Sequence, residues 1–361
     1  METTYPYRVA WHKPKSVHVR PQSRAAVLDA LEYEFPTSRQ RLLAATELGA
    51  VTLRHACRQL TRERVTALKY GQDPDTHHAC DLITWARYPV LPVLELSDAY
   101  MIWRLCDTLG ESVFATVRDR GGFRTAEDDL AILMGQVSTV LNAGTCGLST
   151  VVPMQPPVLL KPSPMNSDFS ATTSDLPRDA DALLTLVRRV LDHTPAFILT
   201  PEEATAHELR YLPALRQASC VLHIRLGVSD TATLLSRQIA NDVTSPWIPA
   251  PYATGLSEAL RQSIQGAARH SAIQWSRVAE FVSAFGRFLS PDCIVLETDD
   301  PRPQPDRIQA VLPSRTSFFC MSYALNTPSL AHRGALRLSR RVLWDSMMES
   351  LPSLDRHPPE R

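Results

Sequence analysis

The sequence predicts an α/β protein in two parts: a small helical N-terminal domain ending in a hairpin, then a larger domain of strands and helices. Three observations carry this. Apolar residues recur at helical spacing through residues 23–62. Two strand-like runs around a turn rich in Gly, Asp and Pro follow them. Beyond residue 88 the pattern changes to long strand runs alternating with helical ones. At 361 residues the chain has room for two or three domains and a sizeable core.

The first helix is expected over Ser23–Phe35, with Ser23 as N-cap, Val27, Leu28 and Leu31 on one side, and Pro36 as the stop. Ser38 can cap a second helix running to about Leu48, with Leu42, Leu43 and Leu48 inward. Gly49 then stands where a tight turn between helices favours positive φ. A third helix, about Val51–Arg62, turns Leu53, Ala56, Cys57 and Leu60 inward and leaves Thr52, Arg54, His55 and Arg58 outward. An apolar back with an arginine-bearing front is what a major-groove recognition helix requires, although a merely solvated basic face would read the same. The runs Val65–Tyr70 and Cys80–Trp85 decide in favour of the former, because three helices followed by a hairpin make a winged helix-turn-helix. The DNA-facing set expected from this layout is Ser38, Arg39, Ala50, Thr52, Arg54, His55, Arg58, Lys69, His77 and His78. His77 and His78 at the wing tip read as surface groups near a phosphate backbone rather than metal ligands, since only Cys80 and loop carboxylates lie nearby.

Composition narrows the partners only slightly. The chain is 44% hydrophobic and 21% charged with zero formal net charge, which is ordinary for a soluble globular protein. Residues 1–88, however, carry 13 Lys+Arg against 9 Asp+Glu, a net of +4 that the remainder offsets. The opening "METTYPYRVAWHKPKSV" lacks the apolar core of a signal peptide, and no run approaches a membrane span. Cys57, Cys80, Cys106, Cys146, Cys220, Cys293 and Cys320 are scattered, with no spacing for a metal knuckle, and read as reduced thiols of a cytoplasmic protein.

In the second part, "VLPVLELSD", "YMIWRLCDTLG" and "ESVFATVRDR" read as a three-strand antiparallel meander. A helix capped by Thr125 follows, then strand "PPVLLKP", and a polar run at 163–179 that reads as a mobile loop. A helix near Asp181–Leu191, strand "AFIL", the helical "PEEATAHELRYLPAL" and the hairpin "CVLHIRLGVSDTATLL" complete the pattern. Meander, helix, strand, helix is the half-domain of the actin-like ATPase (ribonuclease H-like) fold. The domains are expected at 1–88 and 89–361.

From the winged helix onward the sequence resembles the ROK family of repressors, open reading frames and sugar kinases, its repressor members in particular. "SRQRLLAATELGAVTLRHACRQL" runs without a gap against the family's helix-turn-helix, and "FILTPEEATAHEL" stands where the family has its catalytic helix start. "VLHIRLGVSDTATLL" occupies the place of the glycine-rich phosphate hairpin. "RVAEFVSAFGRFLSPDCIVLETDD" and "RGALRLSRRVLWDSM" resemble the late helix-strand unit and the closing helix.

The resemblance implies phosphate-holding turns, and this sequence breaks each of them. Glu95 takes the place of the first Asp, and Ser97 and Asp98 replace its glycines. Glu202 stands at the catalytic Asp position, preceded by Pro201. In the hairpin Gly227 is kept, but Ser229 and Thr231 replace two glycines, and Glu297 and Thr298 replace a Gly-Gly pair. The family's zinc module is missing. No catalytic residue, cofactor or metal is therefore expected. Glu95, Glu202, Gly227, Trp247 and Tyr252 remain as ligand candidates, the last two in "SPWIPAPYATG", where stacking on a ligand ring and a packed connecting loop are both open. The expected protein is a DNA-binding regulator, acting on a two-fold double-stranded operator as a homodimer or tetramer, with a catalytically dead domain for which a sugar-like effector, another small molecule or no effector all stay open; the alternative is an ATP-dependent sugar kinase with an atypical active site.

Overall fold

The computed structural model describes residues 19–86, 90–97, 100–120, 124–142, 158–161, 176–177, 179–191, 197–227, 230–237, 245–250, 255–264, 273–324 and 327–349. They form two compact units. One ends at Val90 and also takes in Asp107–Leu109 and the chain from Arg337 onward, while the other comprises Leu91–Cys106 and Gly110–Leu336.

The first unit opens with helices α1 (Val19–Tyr33), α2 (Arg39–Thr46) and α3 (Ala50–Arg62), followed by strands β1 (Thr66–Gln72) and β2 (Ala79–Trp85). The strands pair antiparallel, Thr66 opposite Trp85 through Gln72 opposite Ala79. α1 begins earlier than its sequence suggests, so Ser23 lies inside the helix rather than at its N-cap. The turn between α2 and α3 also differs from expectation. Glu47 adopts the left-handed conformation (φ 53°), while Gly49 is extended (φ −66°) and serves as N-cap of α3. The helix C-terminus thus places its left-handed residue two positions before the glycine.

The unit is completed by the second half of the last helix, α10 (Leu330–Glu349). Arg340 sets its guanidinium on Glu32 of α1, with Nε 2.8 Å from Oε1 and a second bond to Oε2, and donates to the Thr108 carbonyl at 2.6 Å. Arg337 donates to the Glu32 carbonyl (2.6 Å) and carboxylate (3.1 Å), and Arg341 pairs with Asp29. Burial raises the Glu32 pKa, but the two arginines outweigh it and hold the carboxyl below its usual range. From sequence, residues 337–349 group with the second domain; these arginines hold them on the first.

The second unit contains two five-stranded sheets. The first is made of β3 (Leu91–Leu96), β4 (Tyr100–Cys106), β5 (Ser112–Asp119), β6 (Val158–Leu160) and β7 (Phe197–Leu199), in the order β5-β4-β3-β6-β7. The second is made of β8 (Cys220–Leu226), β9 (Thr231–Ser236), β10 (Ile248–Pro249), β11 (Cys293–Thr298) and β12 (Ser317–Ser322), in the order β10-β9-β8-β11-β12. Each sheet has an antiparallel meander extended by two parallel strands. The same 3-2-1-4-5 order therefore occurs twice.

Between strands run α4 (Ala126–Asn142), α5 (Ala180–Leu191), α6 (Pro201–Leu209), α7 (Leu256–Ile264), α8 (Trp275–Leu289) and the short α9 (Pro305–Gln309). Thr125 and Asp128 form the reciprocal hydrogen bonds that start α4, and Thr200 with Glu203 makes a capping box on α6. Most of the run 163–179 lies outside the described residues.

α8 packs Val278, Phe281 and Val282 against Leu222, Ile294 and Leu296 of the second sheet. On the other side of that sheet Leu209, Val221, Leu235, Trp247 and Val295 form a separate core with Leu330 of α10. α6 and α10 touch backbone to backbone at Gly334, where a Cβ would lie 1.8 Å from the Ala204 carbonyl oxygen. Gly334→Ala should therefore lower stability by about 1–3 kcal/mol, because overpacking against backbone outweighs the gain of about 0.8–1 kcal/mol in helix propensity. A thermal melt unchanged or raised by this substitution would refute the close contact.

Candidate functional site

Two places hold the residues singled out by sequence. The first is the outer face of α3 with the β1–β2 hairpin. Leu53, Ala56, Cys57 and Leu60 are buried, while Arg54, His55 and Arg58 are exposed and Thr52 is half-exposed. Arg39, Ala50, Lys69, His77 and His78 are exposed as well. Ser38 is different. It is buried, accepts the Arg41 N–H at 3.3 Å as the cap of α2, and hydrogen bonds to Asp73. Its hydroxyl is committed to structure, so a role facing a ligand is not visible there.

The hairpin turn is built rather than loose. The Asp73 carboxylate accepts the N–H groups of Asp75 and Thr76 at 2.9 and 3.0 Å, and bonds from Ser38 and Thr76 hold its pKa at about 2. Arg41 of α2 grips Asp75 with two bonds, 2.8 Å from Nε and 2.5 Å from Nη2, and also pairs with Glu34. Sequence reading missed Arg41; its only signal was an unassigned arginine beside Ser38. On β1, Tyr70 and Leu68 point outward, 76% and 49% exposed, on either side of Lys69.

The second place is the interior of the second unit, where Glu95 on β3 is buried against side chains from the other sheet. Tyr100 donates to its Oε1 at 2.9 Å, Arg225 on β8 donates to the same oxygen at 3.3 Å, and His332 Nε2 of α10 lies 3.2 Å from Oε2. Glu297 on β11 continues the cluster, 3.0 Å from His223 and accepting the Leu330 N–H at 2.7 Å. The Arg225 guanidinium stacks 5.1 Å over the Tyr323 ring, whose hydroxyl donates to the Leu226 carbonyl. Burial raises both carboxyls, but Arg225 and the Tyr100 bond reverse this for Glu95, and the His223 bond with Arg225 and the Leu330 N–H reverse it for Glu297, keeping both below their usual range. His332 goes the other way: burial pushes its pKa down to about 3, so it is neutral.

The hairpin turn between β8 and β9 is likewise filled by this chain's own groups. Gly227 has φ +122°, and a Cβ there would fall 2.1 Å from Asp299 Oδ1. Its N–H donates to Asp230 at 3.0 Å. Burial, with Asp299 close by, raises the Asp230 pKa. A backbone N–H that would serve a phosphate is therefore taken by a carboxylate, and two acidic side chains border the turn.

The remaining candidates do not assemble with these. Trp247 is buried in the core beneath Arg237, whose guanidinium sits 4.8 Å from the ring, so that face is not open for stacking. Glu202 lies in the first turn of α6 and is half-buried. Tyr252, Asp98 and Ser229 lie outside the described residues. Among the described residues no group of three or more His, Cys, Asp or Glu side chains is placed to hold a metal, and no helix is long and apolar enough to cross a membrane.

No family model matches the sequence, and no curated protein does. Solved structures do. The chain is similar to a ROK family transcriptional regulator, a homolog of the E. coli MLC protein, with a TM-score of 0.53 and 13% identity over 92% of this chain and 98% of that one. The fold is that of the ROK proteins. An inorganic polyphosphate/ATP-glucomannokinase from Arthrobacter sp. strain KM aligns with 71% of this chain and 100% of its own (TM-score 0.45, 15% identity). A ROK hexokinase from Thermus thermophilus aligns with 72% and 100% (TM-score 0.40, 9% identity).

Proposed function

We propose that this protein is a DNA-binding transcriptional regulator of the ROK repressor type, in which the first unit is a winged helix-turn-helix and the second does not transfer phosphoryl groups. The observation that carries the DNA reading is the α3 face. It exposes Arg54, His55 and Arg58 on a helix whose opposite side is fully buried, beside a hairpin carrying Lys69. Arg54 and Arg58 are suited to base edges in the major groove. Lys69, His77 and His78 are suited to the phosphate backbone. The proposed domains are 1–88 and 89–361, with Arg337, Arg340 and Arg341 of α10 bonded to the first.

The reading of the second unit as a dead kinase rests on two features. The Glu95–Arg225 pair occupies the interior between the two sheets, and the Gly227 N–H is spent on Asp230. A sugar-like effector is not needed to account for either feature, and what the unit senses is left to ligand screening. Isothermal titration with Mg–ATP should give no saturable heat; micromolar binding with ADP release in the presence of a hexose would overturn this part.

The DNA reading is tested on the duplex upstream of the protein's own gene. Arg54→Ala should weaken binding to that duplex by about 10–100-fold while leaving random-sequence DNA nearly unaffected, since a base contact contributes about 1–3 kcal/mol of discrimination. Equal losses on both duplexes would make Arg54 a phosphate contact.

A further inference from the structure

Helix α3 exposes one large apolar side chain, Val51, which is 67% exposed. A lone exposed valine is ordinary on a protein surface, so exposure alone says little. Its position says more. Val51, Arg54, His55 and Arg58 stand at i, i+3, i+4 and i+7, which places them on one stripe of α3. All four are exposed, and the opposite stripe of Leu53, Ala56, Cys57 and Leu60 is buried. The valine therefore lies in line with the two arginines, at the leading end of the helix. That end is open. The N-cap is Gly49, which puts no side chain over the first turn and has nothing within 4 Å of the place a Cβ would take. Valine gains little for the fold here, because a β-branched residue is a poorer helix former than alanine and this one buries little surface in return.

We infer that Val51 reads the 5-methyl group of a thymine in the major groove, next to the bases addressed by Arg54. The inference rests on the DNA reading of α3 proposed above. The chemistry of the groove selects this partner. Base edges there present hydrogen-bond donors and acceptors and one apolar group, the thymine methyl. An aliphatic side chain set against a polar edge would displace water without replacing its hydrogen bonds. Against the methyl it removes apolar surface from water on both sides. The first residues of a recognition helix are the ones that reach base edges, and Val51 is in the first turn. Along α3 about 4.5 Å of rise separates Val51 from Arg54, and stacked base pairs lie about 3.4 Å apart. The two side chains thus address base pairs one or two steps apart. Since the arginine fork matches guanine O6 and N7, the stripe suits a short element that holds a thymine and a guanine within that distance.

Fluorescence anisotropy of the full chain on the duplex upstream of its gene tests this. Each thymine of the footprint is replaced in turn by uracil, which removes the methyl and keeps the base pairing. For the wild type, uracil at one thymine in each half-site should weaken binding about threefold to fivefold, the effect of one buried methyl-sized group. Val51→Ala should bind the unsubstituted duplex more weakly by at least that factor and should no longer distinguish thymine from uracil at that place. Its affinity for random-sequence DNA, its circular dichroism spectrum and its melting temperature should match the wild type. The bases at which Arg54→Ala loses discrimination should lie within about two base pairs of the sensitive thymine. A wild type indifferent to every uracil, or a Val51→Ala variant that still senses the methyl, would overturn the inference and leave the DNA reading in place. A wild type that does not prefer the upstream duplex to random sequence would overturn the DNA reading, and this inference with it.

Discussion

Arg340→Ala is expected to destabilise the first unit by about 3–5 kcal/mol, the cost of leaving a buried carboxylate without its counter-ion. Glu32 is 5% exposed and Arg340 is 4% exposed, so water cannot replace the lost guanidinium. The arginine also lies 4.6 Å over the Trp85 ring and 5.6 Å over that of Phe35, and it satisfies the Thr108 carbonyl. Alanine removes the charge, the stacking and the donor together. Arg337 remains at 3.1 Å from the same carboxylate and limits the loss. Urea unfolding followed by far-ultraviolet circular dichroism measures the effect, and Arg340→Lys should fall between wild type and alanine because an ammonium keeps the charge but not the planar fork. A change below about 1 kcal/mol for alanine would show that the pair behaves as a surface ion pair. If DNA binding is the unit's task, the variant should also lose it at temperatures where the wild type still binds, without any change to the exposed α3 face.

Much of the fold was legible because it rests on local periodicity. The inward set Leu53, Ala56, Cys57 and Leu60 follows from helical spacing alone, and the meander of β3, β4 and β5 from strand runs broken at turn residues. What the sequence concealed depends on contacts distant along the chain. Glu32 reads as one more polar residue of α1, and only folding brings Arg340 to it across 308 positions. Arg225 sits in a run of strand residues and gives no sign that it faces Glu95, 130 positions earlier. For Trp247 the sequence left ligand stacking and loop packing both open, and the fold packs it beneath the Arg237 guanidinium, a pairing that no local pattern encodes. Glu47 in place of Gly49 as the left-handed residue shows the same limit at short range. A helix end can place a non-glycine there when its N–H finds a carbonyl, as Glu47 does with Leu43 at 3.2 Å.

The buried cluster of the second unit carries the other large effect. Arg225→Ala should cost about 3–5 kcal/mol, since the buried Glu95 would then lose the cation that holds it ionised, and Glu297, held also by His223, would lose part of its support. Glu95→Leu combined with Arg225→Met should recover most of that loss, because replacing both partners with apolar groups removes the desolvated charges instead of stranding one. The cluster also makes stability depend on pH, with a definite sign. His332 has a folded pKa near 3, below the unfolded value of 6.5, so the unfolded chain binds a proton that the folded chain refuses. Its contribution is complete above pH 6.5 and is lost as pH falls toward 3, at a slope of up to about 1.4 kcal/mol per pH unit. The groups facing it set this value: Glu95 favours the protonated ring, Arg104 and Arg225 oppose it, and burial outweighs both. Glu95 and Glu297, whose pKa values are lowered, act in the same direction only below about pH 4.5. Between pH 7 and 5 the lowered Glu95 and Glu297 carboxyls add no slope, so the part of the slope that His332→Gln removes is the His332 contribution. A slope that the substitution leaves unchanged would show that the ring takes up its proton equally in the folded and unfolded chain. Since Ser329, His332 and the Leu330 N–H all belong to the start of α10, loss of the cluster should loosen that helix end first, with hydrogen exchange at Leu330 rising before that of the strand cores.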